Sequence, residues 1–244
     1  MNYNDLEVMM IAGDQLSEVV RLGDIENVEI VNQAKRIFGG AEDLLWESKK
    51  CHVEKGDIVV EIGACIGLFS LRAGLQGAKR IVLFEPNDPN RYCATYNANL
   101  GFASRRSKYP VRVINAAVCD YEGVAPFFDV PAIGQHGMFK LNRAVDARQI
   151  KTMTLNSLFR KRIVTKIDFL KCDGNGAETL IFDGISNTNL KKIRKLSVQY
   201  HHHVEERCSG WRKSFLARLK KLGYNIETGP RNSWNDDWIR AWRS

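Results

Sequence analysis

A chain of 244 residues is long enough for one full domain with an appendage and too short for a multidomain machine. Its 44% hydrophobic and 26% charged residues are ordinary globular material, which excludes a disordered or collagen-like chain. The net charge of +8 is uneven: residues 191–244 hold 13 of the 36 Lys and Arg but 5 of the 28 Asp and Glu, so the whole basic excess lies there.

Taken in chain order, residues 1–50 are mostly polar, with helical spacing at Val19 and Leu22 and again at Ile37, Leu44 and Leu45, and they predict a leader of short helices. They carry no catalytic motif. The start lacks the basic and apolar blocks of a signal peptide, and no apolar run approaches the roughly 18 residues that span a bilayer. From Asp57 the pattern changes. Ile58-Val59-Val60 predicts a buried strand, followed by a glycine loop and an apolar helix over 68–75. A second strand at 81–84 ends in Glu85-Pro86. Asp88 then predicts an N-cap and Pro89 a first helical residue, for a helix closing near Gly101.

Residues 111–118 predict a third strand, 119–155 an irregular strand-like stretch, and 167–172 a fourth strand with a helix from Gly176 to Phe182. A fifth strand is predicted at 196–200. The stripe Trp211, Phe215, Leu219 and Leu222 then predicts a helix stopped by Gly223, and 224–228 and 237–242 are the final strand candidates. Strands alternating with helices imply a mostly parallel, doubly wound α/β sheet covered on both faces. The six cysteines, Cys51, Cys65, Cys93, Cys119, Cys172 and Cys208, have no paired or zinc-ligand spacing and read as reduced thiols, so a cytoplasmic setting is expected.

The chemistry is concentrated at the exit of the first strand, in Val60-Glu61-Ile62-Gly63-Ala64-Cys65-Ile66-Gly67. Glycines there let backbone amides approach a ligand. A dinucleotide fingerprint would need glycine where Cys65 and Leu68 stand, which disfavours a nicotinamide dehydrogenase. Glu85 ends the second strand 22 residues after Gly63, where a carboxylate can accept from both ribose hydroxyls. Loop and carboxylate together suggest an adenosine-bearing ligand.

With these residues the chain resembles the S-adenosylmethionine-dependent methyltransferases, and more narrowly the FkbM family, in its loop at 61–67 followed by Phe84-Glu85-Pro86. The similarity continues in Thr154-Leu155-Asn156-Ser157-Leu158 and in Leu170-Lys171-Cys172-Asp173-Gly174-Asn175-Gly176-Ala177-Glu178, and covers roughly residues 53–228. One departure is Asn175, where the family usually has Glu. The resemblance implies a Rossmann-like class I methyltransferase fold over 51–244, seven strands with the last one antiparallel, and S-adenosylmethionine over the strands' carboxyl ends. It implies that Glu61 and Gly63, Ala64, Cys65 and Gly67 meet the methionine part. Glu85 with Pro86 would meet the ribose, and Ala116 and Ala117, after Asn115, the adenine.

Methyl transfer to a hydroxyl needs alignment and a proton acceptor. Asp173 leaves the fourth strand toward that centre and can take a proton or hold the donor's ammonium. His201 follows the fifth strand and is the other candidate base. In Tyr200-His201-His202-His203 alternate residues of an extended chain face opposite ways, so only His201 and His203 converge, and no metal is expected. The expected activity is O-methylation of a sugar or other small hydroxylated metabolite, without a membrane partner. An RNA 2′-O-methyltransferase is the alternative, drawn from the basic terminal segment with Lys151, Arg160, Lys161 and Arg162. Gln199 stands where such an enzyme would carry lysine. A catalytically silent module that binds an adenosine ligand is a third reading, with the tryptophans at 211, 234, 238 and 242 as its interaction surface.

Overall fold

The apolar runs at 58–62, 80–84 and 167–172 become the centre of a seven-stranded sheet because each is buried on both faces and too short for a helix. In the computed structural model the described residues are 7–12, 16–21, 46–102, 110–130, 136–140, 144, 146–201, 210–229 and 237–243. In chain order the elements are β1 (Glu7–Ala12), β2 (Leu16–Arg21), β3 (Ile58–Ile62), α1 (Leu68–Gln76), β4 (Arg80–Phe84), α2 (Asp88–Leu100), β5 (Val111–Ile114), β6 (Ala117–Val118), β7 (Gly123–Asp129) and β8 (Asp146–Met153). There follow α3 (Leu155–Arg160), β9 (Ile167–Cys172), α4 (Glu178–Asp183), α5 (Asn187–Leu190), β10 (Ile193–Tyr200), α6 (Trp211–Lys221), β11 (Asn225–Thr228) and β12 (Asp237–Trp242).

The strand order is β11-β12-β10-β9-β3-β4-β5. Strands β10, β9, β3, β4 and β5 are parallel, and β12 runs antiparallel to both its neighbours, as the resemblance implies for the last strand. Chain order reverses between β3 and β9, and in such sheets ligands bind outside the carboxyl ends of the strands at that switch point. One face buries Val60, Leu170 and Leu196 under α3, α4 and α6, including Ile181, Phe182, Phe215 and Leu219. The other buries Val59, Ile81, Leu83 and Phe169 under α1 and α2. Three tryptophans of the basic segment pack inward. Trp211 stacks on Tyr200 and Phe215, Trp238 is buried against Trp46, and Trp242 packs on the second core. Trp234 lies outside the described residues. No helix among the described residues is long and apolar enough to cross a membrane.

Three expectations are corrected. In place of leader helices, β1 and β2 form an antiparallel hairpin, with β1 against α2. Runs of six residues on either side of Gly13-Asp14, with Val19-Val20 in the second, suit paired strands better than a helix, which needs roughly 12–15 residues to hold. Leu22, Ile37, Leu44 and Leu45 lie outside the described residues. The strand expected over 111–118 is broken at Ala116, whose N–H turns back to the Ile114 carbonyl at 3.0 Å. Beyond that turn β6 joins a second sheet, β6-β8-β7, whose own small core is Ala117, Phe127 and Ile150 with Met138. Finally, the cap of α2 is Asn87, whose side chain accepts from the Asn90 N–H at 3.1 Å, and Asp88 is already helical.

Candidate active site

The chain leaves β3 through a loop pinned from three sides. The N–H groups of Gly63 and Ala64 both donate to the Phe84 carbonyl at the end of β4, each at 3.2 Å. Asp173 N–H donates to the Ile62 carbonyl at 3.0 Å, and Asn97 from α2 donates to the Ile66 carbonyl at 2.7 Å. Gly63 has φ +72, and a Cβ there would lie 1.8 Å from the Asp173 carbonyl oxygen. A side chain at Gly67, φ +81, would meet the α2 backbone at Ala94, 2.7 Å away. Cys65 stands where a fingerprint would have glycine, and its backbone still adopts the left-handed φ of 51. That conformation costs an L-residue roughly 1–2 kcal/mol, and the surrounding hydrogen bonds hold it.

Glu85 meets this loop from β4. One carboxylate oxygen accepts from the Cys65 N–H at 2.8 Å and the other from the Asn87 N–H at 2.9 Å. It is 4% exposed, and burial pushes its carboxyl up to about 7 against the pull of those two N–H groups. The unfolded chain gives up the same proton near 4.5, so between those values the folded state binds more protons and stability falls as pH rises. Tm of the ligand-free chain is therefore expected to decline from pH 5 to pH 8, and Glu85→Ala to flatten that decline. An unchanged slope would show that Glu85 is ionised throughout.

Behind the loop lies a polar row, buried except at its Glu227 end. Glu61 of β3 and Lys171 of β9 are register partners, continued by Ser197 of β10, Arg240 of β12 and Glu227 of β11. Lys171 Nζ donates to the Gly63 carbonyl at 2.6 Å and lies 3.4 Å from Glu61, 3.7 Å from Asp173 and 4.1 Å from the centre of the Trp46 ring. Burial works against its charge, but the Asp173 and Glu61 carboxylates outweigh burial and raise its pKa. Glu61 also accepts from the Ser70 hydroxyl of α1. Its carboxylate thus braces the loop from beneath.

At the exits of β9 and β10, Asp173, Glu178 and His201 come together, with ligand-type atoms within 4.8 Å of one another. His201 Nδ1 is 3.1 Å from Glu178 Oε1, and its Nε2 is 3.6 Å from Asp173 Oδ1. Glu178 also accepts from the N–H of Gly174 at 2.7 Å and of Gly176 at 3.1 Å. Glu178 thus holds two backbone donors and an imidazole, which direct protons at its lone pairs. His202 and His203 lie outside the described residues. Asn175 has φ 49, a conformation that asparagine tolerates better than the glutamate usual in the family, and its amide donates to the His136 carbonyl at 2.8 Å. On the other side of the loop, Asn87 donates to Asp129 at 3.0 Å. The end of β7 and the adjoining segment at His136, whose neighbour Gly137 bridges to Phe128, therefore touch the β4 and β9 exits, with β3 between them.

The structure thus brings together the loop of Gly63, Ala64, Cys65 and Gly67, Glu85 with Pro86 on its β4 side and Asp173 on its β9 side, with His201 beside Asp173. Glu61 lies beneath the loop, and Ala116 and Ala117 are buried where the two sheets meet. Burial pushes the Cys65 thiol up to about 12 and raises Cys172 well above the ordinary range, so both are uncharged packing groups. Sequence reasoning does not single out Lys171, Ser70 or the Asn87–Asp129 and Asn175–His136 contacts. For Lys171 a signal exists: a lysine inside a strand buried on both faces demands a carboxylate on a neighbouring strand.

Comparison with known proteins gives one family match, and no curated protein matches the chain. Among solved structures, it is similar to a precorrin-6y C5,15-methyltransferase from Geobacter metallireducens at 13% identity and TM-score 0.44, covering 88% of each chain. It is similar to a magnesium protoporphyrin IX methyltransferase from Synechocystis at 13% and 0.44, covering 78% of this chain and 75% of that one. An rRNA methylase from Streptococcus thermophilus matches at 8% and 0.45, covering 78% and 89%. Likenesses at this level say nothing about an acceptor. The family profile matches residues 61–226, from the glutamate that braces the loop to the penultimate strand, and the chain belongs to the methyltransferase FkbM domain family, whose members use S-adenosylmethionine.

Proposed function

We propose that the chain methylates a hydroxyl oxygen of a sugar or another small hydroxylated metabolite, in the cytoplasm. The observation that carries this reading is the pairing of His201 with Asp173 at the carboxyl edges of β10 and β9, directly beside the Gly63 loop that Glu85 holds from the β4 side. A hydroxyl needs a proton acceptor at such a place. The free, mostly buried cysteines support a reducing compartment.

The residues present fit the donor. Gly63 is the residue that the close approach of the Asp173 backbone requires, and each Glu85 oxygen holds one backbone N–H with lone-pair capacity left for ribose hydroxyls. When bound, S-adenosylmethionine supplies an electrophilic methyl on a sulfonium. The loop from Gly63 to Gly67, braced by Glu61 and Lys171, would hold the methionine part. Glu85 with Pro86 would hold the ribose, and Ala116 and Ala117 would border the base. Asp173, with 22% of its side chain exposed, would hold the donor's ammonium and orients the imidazole, and His201 takes the hydroxyl proton.

Calorimetry is expected to show micromolar binding of S-adenosylmethionine and none of NAD. Glu85→Ala should weaken that binding by about 1–3 kcal/mol, the scale of leaving buried hydrogen-bonding groups unpaired. Unchanged affinity would refute the ribose role. Tritiated donor with a small-molecule extract should label a hydroxylated compound; label confined to RNA would replace the reading. Against RNA, Arg212 is paired with Asp237, Arg240 with Glu227, and Arg218 donates to the Phe182 and Ile185 carbonyls, so these arginines hold the fold together. Retention of an oligoribonucleotide with steep salt dependence would point the other way.

A further inference from the structure

We infer that Glu178 is a positioning residue that fixes the proton of neutral His201 on Nδ1, leaving Nε2, on the Asp173 side, as the atom that takes the acceptor's proton. This rests on the reading of His201 as the base. No sequence signal assigns Glu178 such a role, because it lies 23 residues from His201 and opens a different element, α4.

Three observations carry it. Glu178 is 1% exposed, and its position is dictated by the N–H groups of Gly174 and Gly176, which it accepts at 2.7 and 3.1 Å. A carboxylate so anchored cannot follow a rotating ring, so the ring must follow it. Second, its Oε1 faces Nδ1 at 3.1 Å, within hydrogen-bond reach, while Nε2 is 3.6 Å from Asp173 Oδ1. Among the described residues, Nδ1 is the ring nitrogen within hydrogen-bond distance of a fully buried carboxylate. Third, Glu178 is kept ionised. Burial pushes its carboxyl up, but the His201 imidazole and the backbone N–H groups outweigh it and hold it below the usual carboxylate range.

An ionised, immobile carboxylate on Nδ1 sets the tautomer and raises the basicity of the opposite nitrogen. Among the described residues, the groups facing the imidazole are Glu178 at Nδ1 and Asp173 at Nε2, with the Cys172 thiol buried and uncharged at the end of β9 and the Lys171 ammonium beyond Asp173. In the reaction the acceptor's O–H bond breaks. The oxygen keeps that pair and shares it with the methyl carbon, whose bond to the donor's sulfonium sulfur would break with its pair left on sulfur, and the proton goes to Nε2. The resulting imidazolium lies between two carboxylates and later returns its proton to water.

The test is long-range ¹H–¹⁵N imidazole spectroscopy on the full chain, with His201→Ala identifying the His201 signals among the five histidines. The expected result is the Nδ1–H tautomer when neutral and a pKa above the ordinary value of about 6.5. In Glu178→Gln that pKa should fall by about 1–3 pH units, as expected for removing an opposite charge at this distance, and Glu178→Asp should restore part of it. An Nε2–H tautomer in the unaltered chain, or an unmoved titration in a folded Glu178→Gln, overturns the proposal. If that variant does not fold, the tautomer of the unaltered chain decides alone. Turnover of whatever extract fraction accepts label should fall roughly a hundredfold in Glu178→Gln with donor affinity unchanged. Turnover abolished by EDTA and restored by Mg²⁺ would overturn it too, since the three groups would then hold a cation. Failure of the unaltered chain to bind S-adenosylmethionine would sink the proposed function while leaving the Glu178–His201 coupling measurable.

Discussion

Gly63→Ala is expected to abolish donor binding and to lower Tm sharply. The added Cβ would lie 1.8 Å from the Asp173 carbonyl oxygen and 2.9 Å from its carbonyl carbon, a backbone contact that no rotamer change relieves. Gly63 also sits at φ +72, where a Cβ is itself disfavoured. The exits of β3 and β9 must therefore separate, which breaks the Asp173 N–H bond to the Ile62 carbonyl and moves Asp173 away from His201. Calorimetry with S-adenosylmethionine checks the first consequence and thermal unfolding the second. A variant that binds the donor as tightly as the unaltered chain would mean that the two strand exits are free to part, contrary to the packing described.

Lys171→Ala is expected to destabilise the fold by about 3–5 kcal/mol, because it leaves the buried Glu61 carboxylate without its cation. It also removes the donor to the Gly63 carbonyl and empties the space beneath Trp46. The double variant Lys171→Met with Glu61→Gln is expected to recover much of that loss, since neutral groups of similar volume avoid the desolvation of an unpaired charge. Urea unfolding of Lys171→Met, Glu61→Gln and the double variant closes the cycle, and a strong positive coupling is the expected result. Simple additivity would mean that Lys171 and Glu61 act independently and that the row across β3 and β9 is incidental.

Much of the fold can be read along the chain. The β-branched runs, the caps and the glycine stops are local signals, set by sterics and by hydrogen bonds between near neighbours, and they mark β3, α1, β4, α2, β9 and α6 to within a few residues. The site is legible in part for the same reason. Gly63, Gly67 and Glu85 occupy positions whose backbone or strand-end requirements show in the order of residues. Errors fall where two local solutions compete. Val19 and Leu22 fit a helix turn or an extended strand, and the run at 111–118 is apolar enough for one strand but is divided by the turn at Ala116.

What the amino-acid order determined by itself is the alternation of strands and helices, the glycine loop followed by a carboxylate, and through these the family. What only the tertiary structure decided is how side chains far apart in sequence pair: Glu61 with Lys171, Glu178 with His201, Asn87 with Asp129 and Asn175 with His136. Local preference acts over a few residues and is written in each segment. Pairing of buried charges and amides depends on strand order and register, which follow from burying both faces of the whole sheet at once.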